Sequence, residues 1–128
     1  MTGTRILVVE DNERNLKLVR DVLLHAGFVV VEARSGEQGV ELARESPPDL
    51  VLMDLGLPGM DGTEALHLLR DSPGTATVPV VAVTAYAMPE DRERTRAAGF
   101  DGYLTKPLDV LALPGQVRGY LAAERNSR

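Results

Sequence analysis

Five short apolar runs recur along the chain: Ile6–Val9, Phe28–Val31, Leu50–Met53, Val78–Val83 and Tyr103–Leu104. Most are rich in valine and nearly unbroken by polar residues. That is the habit of strands covered on both faces, and hence of parallel sheets. Between the runs, apolar positions fall at helical spacing. Asn15–His25 sets Leu16, Val19, Val22 and Leu23 on one stripe, and Thr63–Arg70 carries Leu66 and Leu69. Gly36–Glu45 carries Val40 and Ala43 behind Ser35, a capping residue by type. Pro89–Ala98 opens on a proline, which a first helical turn tolerates, and stops before Gly99. The last segment, about Leu111–Ala123, contains Pro114 and Gly115, so its helix is predicted to start late, near the proline. Strands alternating with helices predict an α/β fold, a doubly wound parallel sheet of five strands with right-handed crossovers. Residues 1–128 read as one domain with a core of about 4–123 and a short frayed tail, 124–128, without repeats or linkers.

Composition narrows the partners. The chain has 128 residues, a common size for one domain, and 44% hydrophobic residues, enough for one core. A net charge of -5 argues against nucleic acid as a direct partner, because tracking phosphates needs a basic surface. Without cysteine there is no disulfide, thiolate metal site or thiol nucleophile, which suits a cytoplasmic protein. The first apolar run is short and meets Glu10 and Asp11 at once, so it is no signal peptide. No stretch approaches a membrane span. His25 and His67 lack ligand-spaced partners and read as surface or filler residues.

In doubly wound sheets, ligands bind beyond the carboxyl ends of the strands. Strand one ends in Glu10 and Asp11, strand three in Asp54, strand four in Thr84 and strand five in Lys106. Three carboxylates meeting at one sheet edge repel one another unless a cation neutralises them. Only oxygen donors are on offer, which selects a hard cation, Mg²⁺ foremost. A hydroxyl and an ammonium beside them suit phosphate oxygens. Alone, each of these residues reads equally as a cap or a surface charge, and Asp11 in particular as the cap of the first helix. Their joint placement after strand ends points to phosphoryl transfer, where catalysis is mainly positioning and charge neutralisation.

Four ordered motifs then carry a resemblance: Ile6-Leu7-Val8-Val9-Glu10-Asp11-Asn12, Leu52 through Gly62, Val83-Thr84-Ala85, and Leu104-Thr105-Lys106-Pro107. Over about its whole length the chain resembles the receiver domains of two-component response regulators, the CheY-like family. The resemblance implies the flavodoxin-like strand order 2-1-3-4-5 and a cis peptide before Pro107. It implies that Asp54 is the phosphoacceptor, receiving the group from a phosphohistidine on a sensor histidine kinase or histidine phosphotransfer protein. Asp11, Asp54 and the Gly56 carbonyl would ligate Mg²⁺, for which Mn²⁺ or Ca²⁺ would substitute, with Glu10 acting mainly through metal-bound water. Lys106 and Thr84 would hold phosphoryl oxygens. Thr84 and Tyr103 would form the switch that reshapes the surface of the fourth helix, fifth strand and fifth helix. On this reading the chain is no enzyme beyond its own phosphorylation and dephosphorylation.

No attached output domain is expected, so the expected output is a contact with a downstream protein, or onward relay of the phosphoryl group, by a monomer or homodimer. The segment Val80–Met88 is similar to receivers of hybrid histidine kinases and to stand-alone DivK-like regulators; some small receivers of this sort partner bacteriophytochromes. Gly56, without a side chain, and bulky Tyr86 are expected to tune the lifetime of the acyl phosphate. Leu18, Pro107 and Leu108 are candidates for docking on the kinase. Three rivals share parts of this pattern. A flavin carrier wants a Ser/Thr/Gly-rich phosphate loop where Glu10-Asp11 stands. A haloacid-dehalogenase-type phosphatase wants an acid where Gly56 stands. A pseudo-receiver, a pure binding module, has no need of the complete acid set.

Overall fold

The computed structural model describes residues 3–86 and 88–126. Five strands, β1 (Arg5–Val9), β2 (Val29–Ala33), β3 (Leu50–Asp54), β4 (Val80–Thr84) and β5 (Gly102–Thr105), alternate with five helices. These are α1 (Glu13–His25), α2 (Gly36–Glu45), α3 (Gly62–Arg70), α4 (Pro89–Ala97) and α5 (Leu113–Asn126). All strand pairs are parallel, in the order β2-β1-β3-β4-β5, as the resemblance implied. The Lys106–Pro107 peptide is cis.

Side chains alternate across a strand, and two cores follow. Leu7, Val9, Val51, Met53, Val80 and Ala82 face α2 and α3, packing on Val40, Ala43, Leu66 and Leu69. Ile6, Val8, Leu50, Leu52, Val81 and Val83 face α1 and α5, packing on Leu16, Val19, Leu23, Leu113 and Val117. β3 and β4 are buried throughout. The outer strands β2 and β5 are only part-buried, since each has one neighbour; the expectation of strands covered on both faces fails there.

Helix starts follow local chemistry. Asn12, Ser35 and Asp61 cap α1, α2 and α3, each side chain accepting main-chain amides of the first turn. The first cap is thus Asn12, which leaves Asp11 for other work. α4 has no side-chain cap, begins at Pro89 and buries only Thr95. It ends where Gly99 takes φ +109, a conformation glycine adopts without strain. α5 starts at Leu113, one residue before Pro114, so the late start holds. It is helical through Asn126, past the point where fraying was expected; residues 127 and 128 lie outside the described residues.

The bounds of β2 and β4 depart most from the apolar pattern. Phe28 is not in β2, because its amide donates back to the Leu23 carbonyl at the end of α1. Polar Glu32 is in β2, its charge met by Arg20 of α1 at 3.1 Å. β4 begins at Val80, after Pro79, which has no amide to give; the Val80 amide donates to the Asp101 carboxylate at 2.8 Å.

Gly102 is fixed by close approach: a Cβ there would run into the ring of Tyr120 on α5. The Tyr120 hydroxyl in turn accepts the Tyr103 amide at 3.3 Å. Gly102→Ala is therefore expected to lower unfolding free energy by about 1–3 kcal/mol, the range for overpacking. Urea denaturation measures it, and pairing the change with Tyr120→Leu should recover part of the loss; an undiminished loss would contradict this origin.

Candidate functional site

β1 and β3 are adjacent and parallel, with Val9 opposite Met53. Their next residues therefore emerge side by side at one edge of the sheet. Glu10 and Asp54 are buried there, and Asp11 is exposed. One carboxylate oxygen from each of the three lies within 4.8 Å of the others. The two Asp54 oxygens are held differently: Oδ1 accepts the Gly56 amide at 2.8 Å, and Oδ2 accepts Lys106 Nζ at 2.7 Å. Lys106 reaches over from the end of β5 and also lies 3.3 Å from Glu10 Oε1. Glu10 Oε2 accepts the Asn12 amide at 3.1 Å.

The electrostatics follow from this crowding. Burial holds the Glu10 carboxyl above its ordinary value, and adjacent Asp54 pushes the same way, against the Asn12 amide and the Lys106 charge. Burial alone would lower the Lys106 ammonium, but its bonds to Asp54 and Glu10 outweigh this and hold it above the usual lysine range. One ammonium against three carboxylates leaves the cluster short of positive charge. The donors are all oxygen, two of them on buried residues and close enough to share one ion. That set fits a small hard dication such as Mg²⁺.

Thr84 is buried at the end of β4, next to the residue paired with Asp54. Its hydroxyl accepts the Tyr86 amide at 3.1 Å. Tyr86 itself is 71% exposed. Tyr103 is half-buried on β5 under the guanidinium of Arg92, 5.4 Å from the ring centroid. Its hydroxyl is buried and without a partner among the described residues. Leu18 and Pro107 are exposed and Leu108 is half-buried. His25 and His67 are exposed, and neither belongs to the acidic cluster.

Sequence reasoning passed over one participant and one contact. Asn12 caps α1 with its side chain and steadies Glu10 with its amide; the rule that favours asparagine immediately before a helix would have found the cap. The second contact of Lys106, to Glu10, depends on where a long flexible side chain comes to rest, and no sequence signal gives that.

Comparison with known proteins gives a consistent picture. A family model of the response regulator receiver domain matches residues 6–118. The chain is 42% identical over 116 residues to the polar-differentiation response regulator DivK of Brucella ovis, covering 91% of this chain and 94% of that protein. Among solved structures, the receiver domain of the sensor histidine kinase PA1611 from Pseudomonas aeruginosa superposes with a TM-score of 0.86 at 34% identity, covering 94% of this chain and 99% of that one. That structure has a magnesium ion coordinated in its active site cleft. The chemotaxis response regulator CheY4 of Vibrio cholerae superposes with a TM-score of 0.88 at 25% identity, covering 93% and 99%.

Proposed function

Because the chain belongs to the response regulator receiver family, we propose that it is a single-domain response regulator of a phosphorelay. It accepts a phosphoryl group on Asp54 and switches the α4–β5–α5 surface for protein–protein signalling. The observation that carries this reading is the meeting of Glu10, Asp11 and Asp54 at one sheet edge, with Lys106 Nζ 2.7 Å from Asp54. The Brucella relative, aligned over 94% of its own length, supports a regulator of this size.

The step is a displacement at phosphorus. An Asp54 carboxylate oxygen forms the new O–P bond as the N–P bond of a phosphohistidine breaks, and that electron pair returns to the imidazole. The donor is a sensor histidine kinase, hybrid or bacteriophytochrome included, or a histidine phosphotransfer protein. Asp11, Asp54 and the Gly56 carbonyl would hold Mg²⁺ directly, and Glu10 through water. Bound there, the ion neutralises carboxylates and phosphoryl oxygens so that the anions can meet. Lys106 exchanges its bond to Asp54 for a phosphoryl oxygen. Thr84 turns its hydroxyl towards another, and Tyr103 responds. A new charge of about −1.5 to −2 biases this two-state element. Leu18, Pro107 and Leu108 form the docking rim for the donor. Gly56 and Tyr86 set how readily water reaches the acyl phosphate.

Mass spectrometry after acetyl phosphate treatment, with and without Mg²⁺, tests the reading; a protein that takes no phosphoryl group under either condition removes it. A pH dependence goes with it. Without metal, Glu10 keeps its proton above the ordinary 4.5. The folded state then binds more protons than the unfolded one just above that pH, so this contribution to stability falls as pH rises through the window. Mg²⁺ favours the ionised form and must compete with that proton. Its affinity is expected to weaken as pH drops towards Glu10's raised value, and to do so less in Glu10→Gln. Calorimetric titration at several pH values checks this, and a pH-independent affinity would refute it.

A further inference from the structure

A cavity of about 300 Å³ lies between α3 and α4 beside the end of β4. Leu55, Ala98 and Phe100 give it an apolar wall, and Thr84 lines its inner side. Asp91 and Arg94, ion-paired at 3.3 Å, also line it. At the low end of ligand-pocket volumes, it has room for about one aromatic side chain. Tyr86 borders it, yet its ring is mostly in water. Among the described residues, the bond that holds the Tyr86 backbone runs from its amide to the Thr84 hydroxyl. We propose that this cavity is the seat of the Tyr86 ring in the phosphorylated state, so that Tyr86 is a second switch element released by Thr84.

The inference rests on the phosphoacceptor reading. A hydroxyl that turns to donate to a phosphoryl oxygen moves its lone pairs away from the Tyr86 amide. The Tyr86 backbone then loses that restraint, and a ring that leaves water for an apolar wall gains by burial. Its phenol oxygen, the polar end, meets Asp91 and Arg94. With the ring seated, the space behind Thr84 no longer holds water, and the acyl phosphate loses one line of attack. Tyr86 thus lengthens the lifetime by filling the cavity, not by overhanging the phosphate.

The chain has three tyrosines and no tryptophan, so fluorotyrosine labelling with ¹⁹F NMR resolves the matter. Signals are assigned with Tyr86→Phe and probed with a soluble paramagnetic agent, before and after beryllofluoride and Mg²⁺. Bound beryllofluoride reports itself in the same spectrum. The expected result is that the Tyr86 signal loses access to the agent when beryllofluoride binds. Ala98→Met, which fills the seat from the end of α4, should keep Tyr86 exposed. Tyr86→Ala should speed acyl phosphate hydrolysis several-fold, and adding Ala98→Met to it should restore most of the wild-type lifetime, because the space behind Thr84 is filled again. If beryllofluoride binds and Tyr86 stays exposed, the seat is refuted and the phosphoacceptor reading stands. If the folded double variant Tyr86→Ala/Ala98→Met hydrolyses as fast as Tyr86→Ala alone, the ring shields the phosphate directly and the inference fails. If no beryllofluoride signal appears, the phosphoacceptor reading falls first and the inference with it. The labelled wild-type protein decides the question even where Ala98→Met does not fold.

Discussion

Asp54→Asn is expected to abolish the phosphoryl adduct while leaving the fold intact. The asparagine carbonyl can still accept the Gly56 amide, the bond now made by Asp54 Oδ1. The amide nitrogen takes the place of Oδ2, where it faces the Lys106 ammonium as a second donor. Lys106 then turns to Glu10, already 3.3 Å away. The cluster loses one of its three negative charges and one candidate metal ligand together, so Mg²⁺ affinity should fall by about an order of magnitude or more. Intact-mass spectra after acetyl phosphate treatment, with a Mg²⁺ titration of both proteins, give the result. An adduct that persists in the variant would mean that another residue is the acceptor.

Lys106→Met is expected to move two readouts in opposite directions. In the metal-free protein the ammonium partly neutralises Asp54 and Glu10. Removing it leaves two buried carboxylates facing each other, so Mg²⁺ should bind more tightly and raise the melting temperature more than in the wild type. Phosphoryl transfer should be slower by about 10²–10³-fold, the usual loss when one preorganised charge donor is removed from a transition state. Calorimetry and transfer rates from acetyl phosphate separate the two effects. If Mg²⁺ binding weakens, Lys106 supports the metal site and does not compete with it; if transfer keeps its rate, Lys106 plays no part at the phosphoryl group.

Much of this arrangement was legible because parallel sheets impose it. Unbroken apolar runs read as strands of a parallel sheet, and in such sheets chemistry gathers where strands end. Glu10, Asp11 and Asp54 were therefore placed together by topology, before any side-chain position was known. Ser35 before α2 and Gly99 after α4 obey local rules that need no tertiary information. The sequence misled where tertiary contacts decide. Glu32 lies past the apolar run Phe28–Val31, yet it sits within β2, because an edge strand tolerates a charge that a helix can answer, here through Arg20. Phe28 looked like strand, yet its amide was already committed to α1. The cavity beside Thr84 and the outward Tyr86 ring were not legible, since voids arise from imperfect packing between α3 and α4 and leave no pattern along the chain.

α4 owes the interior almost nothing. Of its nine residues only Thr95 is buried, while Glu90, Glu93 and Arg96 stand in solvent. Changes at exposed positions remote from special contacts usually alter stability by about 0.5 kcal/mol or less. If α4 belongs to the output face, as proposed, a lineage can repaint this helix for a new listener with little risk to the architecture beneath. The acids at the strand ends have no such freedom, so the vocabulary of the output can drift while the grammar of the input stays fixed.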